Sequence, residues 1–133
     1  MRVSRITLSR IALALYLCLV AFLCFGKFPQ SDSIPRSILG IPSDKVAHFF
    51  MFLPLVPLLV QSVLKESMSK WRIILIITIS VIIGAGLAAA TEYGQVLTGY
   101  RFSDIKDFTA DAAGIVTGAI VAALLIIIKR SSR

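Results

Sequence analysis

Asp44 and His48 stand four residues apart, as do Asp107 and Asp111, while Glu92 and Gln95 stand three apart. On a helix each of these spacings puts both side chains on one face. Lys45 adjoins the first pair, and Arg101 precedes Asp107 by six residues. A carboxylate beside an imidazole can orient it as a general base, so His48, Glu92 and Asp107 are the catalytic candidates, acting for example on a phosphorylated lipid. The same residues support a different chemistry. Lys45, Arg101 and His48 could hold a phosphate, pyrophosphate or carboxylate, with Asp44, Glu92, Gln95, Asp107 and Asp111 orienting those groups. A third reading makes the bases neutralise the acids of a scaffold and nothing more. His48, Glu92, Asp107 and Asp111 also offer N and O atoms that Mg or Mn could take. With one histidine and no ligating cysteine, however, no dedicated zinc site and no cofactor is expected.

The elements that must position these groups are apolar. Of 133 residues 57% are hydrophobic and 16% charged, and the mean hydropathy is +0.88, against about 25% charged in a soluble domain. Four uninterrupted apolar stretches cover residues 6–25, 46–64, 73–97 and 108–128, each long enough to cross a bilayer as a helix. Strands are disfavoured, because the runs do not alternate and hydrocarbon tolerates no open sheet edge. The expected fold is an all-α membrane protein, four transmembrane helices in a compact bundle. The formal net charge of +7 does not point to nucleic acid, since the bases flank the apolar runs. The bilayer itself is the expected partner.

Orientation follows from the bases. Arg2, Arg5, Arg10, Lys65, Lys70, Arg72, Lys129, Arg130 and Arg133 lie on one side, nine in all, against five on the other, Lys27, Arg36, Lys45, Arg101 and Lys106. The positive-inside rule then puts both termini in the cytoplasm and residues 26–44 and 98–106 outside. The polar residues of spans two, three and four would gather at that outer level. An ionisable group at bilayer depth costs several kcal/mol unless it faces the bundle interior or water, which makes one shared pocket the economical arrangement.

Smaller features refine the expectation. Asp107, Asp111, Gly114 and Gly118 follow one stripe, and Gly114 to Gly118 is a GxxxG, while Gly84, Ala88 and Glu92 share a face of the third span. Close approach of spans three and four at these positions is expected. Pro54 and Pro57 should kink the second span. Asp44, after Pro42 and Ser43, is placed to cap that helix. Cys18 and Cys24 lie about 240° apart around the first span and cannot pair with each other. The N-terminal stretch reads as an uncleaved first span rather than a signal peptide.

Taken together, Asp44-Lys45-x-x-His48-Phe49, Glu92-x-x-Gln95, Arg101, and Asp107-x-x-x-Asp111-x-x-Gly114-x-x-x-Gly118 resemble the VanZ-like family of small bacterial integral membrane proteins. The family is named for an accessory protein associated with low-level resistance to the glycopeptide teicoplanin. The resemblance implies one VanZ-like transmembrane domain over residues 1–133, in the bacterial cytoplasmic membrane with its polar site facing outside. It implies a role in the cell envelope, for which an anionic, lipid-linked envelope precursor is the expected ligand. At Asp111 the family pattern usually carries Asn, so this chain has an extra carboxylate there. Arg101 is the expected partner of Asp107, with Lys45 and His48 within reach if the helices pack as anticipated.

Overall fold

The computed structural model describes residues 4–26, 36–99 and 104–132. Four helical segments in it are long and apolar enough to cross a membrane. The first is α1, Arg5–Phe25. Ser4 starts it by accepting the Thr7 amide at 3.1 Å, a serine cap that supplies one of the acceptors the first turn lacks. The second segment is divided into α2, Ser43–Phe52, and α3, Leu55–Val63. The third and fourth are α4, Lys70–Leu97, and α5, Ile105–Ser131.

The division of the second span has a chemical cause. Pro54 and Pro57 have no N–H to give to the carbonyls of Phe50 and Leu53, so the ladder fails there. The Tyr16 hydroxyl of α1 donates to the Met51 carbonyl at this break. The anticipated kink is thus a true interruption, sealed by a side chain from the neighbouring helix.

Below the break, α3 turns Leu55, Val56 and Val60 into the middle of the bundle, against Ala88 of α4 and Ile115 and Ala122 of α5. Large side chains on α3 fill the space that small ones on α4 and α5 leave. The outer faces carry Leu15, Phe22, Ile82, Ile120 and Ile128, all exposed, as residues meeting hydrocarbon should be.

The glycines pack differently from expectation. A Cβ on Gly114 would lie 2.4 Å from the Phe49 carbonyl oxygen, and one on Gly118 would lie 2.4 Å from that of Leu53. The GxxxG of α5 therefore packs on the backbone of α2, not on α4. Only Gly84 serves the anticipated contact, with Ile115 of α5 at 3.3 Å from where its Cβ would be. The proline break explains the preference, because the Leu53 carbonyl, left without its usual donor, lies against a surface that has no side chain.

One end of the bundle carries a feature not foreseen. Ser37–Ile38 (β1) and Ile41–Pro42 (β2) form a two-stranded antiparallel hairpin. Its turn residues Leu39 and Gly40 have φ of 53° and 82°, a left-handed pair suited to a two-residue hairpin turn. The hairpin leads directly into α2. At the opposite end of the bundle Arg10 Nε donates to the Ser62 carbonyl at 3.1 Å and Arg130 Nη2 to that of Met68 at 2.6 Å.

Candidate functional site

The first turn of α2 and the start of α5 face each other at the hairpin end. Asp104 caps α5, its carboxylate accepting from the Lys106 amide at 2.9 Å, and Asp107 follows in the first turn, where a negative charge suits the helix N-terminus. Asp44 sits in the first turn of α2 but does not cap it: the cap position is Pro42, with no side-chain hydrogen bond. The expected capping role is therefore replaced by a pairing role, with Asp44 Oδ2 at 3.0 Å from Lys45 Nζ.

Lys45 is the centre of this pairing. Its ammonium also donates to Asp104 Oδ2 at 2.8 Å and to Asp107 Oδ1. An ammonium has three N–H donors, and three carboxylates here take them. Asp107 thus finds its cation on the second span. The Arg101 proposed from sequence as its partner lies outside the described residues, as does Tyr100. Outside the spans, Asp104 is held below the usual carboxylate range, first by its bond from Lys45 and then by the Lys106 amide.

One turn deeper the site changes character. His48 is buried, and its Nδ1 lies 2.8 Å from Oδ1 of the fully buried Asp111. Nε2 stands 3.8 Å from Asp107 Oδ2, beyond a hydrogen bond. Glu92 comes to the same place from α4 and is only 6% exposed. Among the described residues, both of its carboxylate oxygens and Oδ2 of Asp111 have no hydrogen-bond partner. One donor atom each from His48, Glu92 and Asp111 lies within 4.8 Å of the other two.

Gln95, buried three residues after Glu92, faces elsewhere: its Nε2 donates to the Cys24 carbonyl at 3.2 Å. It closes the C-terminal end of α1 against α4. Of the sequence-selected residues, Asp44, Lys45, His48, Glu92, Asp107 and Asp111 come together, and Gln95 stands at their margin. Asp111 lies six residues inside α5, about 9 Å along the helix axis, which keeps the cluster toward one end of the span.

Beside the cluster a groove of about 600 Å³ runs between α1 and α2. Asp44, His48 and Gln95 lie at its polar part, and Leu19, Leu23, Phe50 and Met51 make apolar walls. Tyr16 borders the same groove. Its role was missed in the sequence, where a tyrosine in an apolar run reads as packing; the two downstream prolines were the available signal that a carbonyl would need a donor.

A family model, VanZ/LLP1, matches residues 13–127. The chain belongs to the VanZ/LLP1 family. The match reaches into all four spans and takes in every residue of the polar cluster, a longer stretch than the residues from Asp44 to Gly118 that carried the resemblance in the sequence. No curated protein and no solved structure matches the chain. As a VanZ/LLP1 member with four apolar spans it is a multi-pass membrane protein. Its site is built by α2, α4 and α5 of the VanZ/LLP1 segment, and α1 contributes the groove wall.

Proposed function

We propose that this VanZ/LLP1 protein binds a lipid-linked component of the bacterial cell envelope, with the anionic head at the His48 end of the groove and the tail along α1 and α2. The observation that supports this reading is the groove itself, polar at Asp44, His48 and Gln95 and apolar over the rest of its length. Such a surface matches an amphiphile better than a free sugar or a soluble ion. The chain would sit in the cytoplasmic membrane with both termini inside, as the distribution of its bases favours. The site would then face the side where envelope precursors are used. A contribution to tolerance of teicoplanin belongs to the same proposal.

Lys45 does not supply the charge that an anionic head needs, because its donors are taken. Head recognition therefore falls to His48, Gln95 and Arg101, together with whatever counter-charge the head brings.

Native mass spectrometry of gently purified protein tests the reading. One co-purifying phosphorylated amphiphile per chain is expected, and it should be lost in Ala47→Trp, which fills the groove from α2. Wild-type protein that carries no amphiphile, or an Ala47→Trp variant that still carries it, would overturn the assignment. Expression of the wild type should also raise the teicoplanin concentration needed to stop growth.

A further inference from the structure

Glu92 and Asp111 present an electrostatic problem that the groove does not solve. Both are more than nine-tenths buried, and three of their four carboxylate oxygens have no hydrogen-bond partner among the described residues. A buried ionised carboxylate without a partner costs several kcal/mol. Lys45 cannot relieve it, since its three donors go to Asp44, Asp104 and Asp107. His48 shares its one hydrogen bond here with Asp111 Oδ1, and Glu92 has no side-chain hydrogen bond among the described residues.

We infer that His48, Glu92 and Asp111 form a binding site for one divalent cation of the manganese or zinc class. Donors from the three residues already lie within 4.8 Å of one another. Metal–ligand bonds of about 2.0–2.2 Å place neighbouring donors about 3–4 Å apart, a closure that side-chain rotation supplies. The set of one imidazole and two carboxylates selects the metal class. Calcium and magnesium take oxygen ligands only, whereas here the imidazole suits zinc and the two carboxylates suit manganese, and thiolates, which would favour copper(I), are not part of the set. Nδ1 of His48, 2.8 Å from Oδ1 of Asp111, would ligate the ion in place of that hydrogen bond, with one carboxylate oxygen each from Asp111 and Glu92 as the other donors. Asp107 Oδ2, 3.8 Å from Nε2, is placed to orient the ring through its other nitrogen.

The cation site rests on its own donors and does not require that the groove hold a lipid. Bound there, the ion would give the acidic cluster the positive charge that Lys45 does not.

The test uses the full chain in detergent micelles, stripped of metal and titrated with Mn²⁺ while the electron paramagnetic resonance signal of the free ion is followed. The expected result is one Mn²⁺ per chain, with nitrogen coupling from an imidazole in the spin-echo spectrum and competition by Zn²⁺. Glu92→Gln and Asp111→Asn should each weaken binding about tenfold or more, whereas Glu66→Gln, at the opposite end of the bundle, should not. Failure to bind one equivalent would overturn the proposal, with a shared proton then neutralising the carboxylates. Equal affinity in all three variants would also overturn it. If the site variants do not accumulate, the wild-type spectrum decides, because bound Mn²⁺ without nitrogen coupling excludes His48 as a ligand.

Discussion

Nδ1 of His48 and Oδ1 of Asp111 share a hydrogen bond of 2.8 Å across the contact between α2 and α5, with both residues buried. Each is the partner the other depends on. His48→Ala leaves Asp111 with no hydrogen bond at a position of zero exposure, and loss of about 3 kcal/mol is expected. Asp111→Asn keeps an acceptor for Nδ1 and removes the buried charge, so it should cost about 1 kcal/mol or less. Thermal unfolding followed by size-exclusion fluorescence in one detergent ranks the two.

Backbone contact makes Gly114 and Gly118 intolerant of the smallest side chain. Gly114→Ala drives a methyl group toward the Phe49 carbonyl and should destabilise by about 2 kcal/mol net, despite the gain of about 1 kcal/mol in helix propensity. Gly86→Ala in α4 is the matched control, for a Cβ there meets nothing within 4 Å, and it should be neutral or mildly stabilising. The same unfolding assay separates them.

Tyr16→Phe removes the hydroxyl that donates to the Met51 carbonyl at the proline break. The ring stays, so packing is preserved. A loss of about 1 kcal/mol is expected from the unpaired carbonyl. Amide exchange should rise at residues 53–58, which measures whether the break has loosened.

Acid should weaken the hairpin end of the bundle. The Asp104 carboxyl is held below its ordinary range by Lys45, so its contribution is complete above the unfolded carboxylate pKa and is lost as pH falls through the lower, folded value. Between neutral pH and about pH 3 the wild type should therefore lose more stability than Asp104→Asn. If the two melt in parallel over that range, the Lys45 to Asp104 bond is not a source of stability.

Orientation is tested by labelling. In a Cys18→Ala, Cys24→Ala chain, a cysteine at Ser37 should react with an impermeant maleimide on intact cells, and one at Ser67 should react only after lysis. The reverse pattern would place the site on the cytoplasmic side.

Much of this arrangement was legible in the sequence because hydrocarbon imposes simple rules. Uninterrupted apolar runs fixed the four spans to within a few residues, and the i, i+4 spacing of Asp107 and Asp111 put both on one stripe of α5. Pairing across helices was less legible. That Lys45 meets Asp107, or that Gly114 seats on Phe49, depends on which helices touch and at what register. No spacing within a single span carries that information. The hairpin at 37–42 was missed because two-residue strands leave no alternation to read.

The α2–α5 seam also bears on how copies of this chain can associate. A GxxxG in a membrane span is usually read as a face by which two helices from separate molecules meet. Here Gly114 and Gly118 are covered by the Phe49 and Leu53 carbonyls of their own chain, so that face is already occupied within the monomer. The lipid-facing sides, which carry exposed side chains such as Leu15, Phe50, Ile82 and Ile120, are left for contact between copies rather than the glycines. Self-association and the His48–Asp111 register are thereby uncoupled: copies can meet or separate without shifting the buried pair.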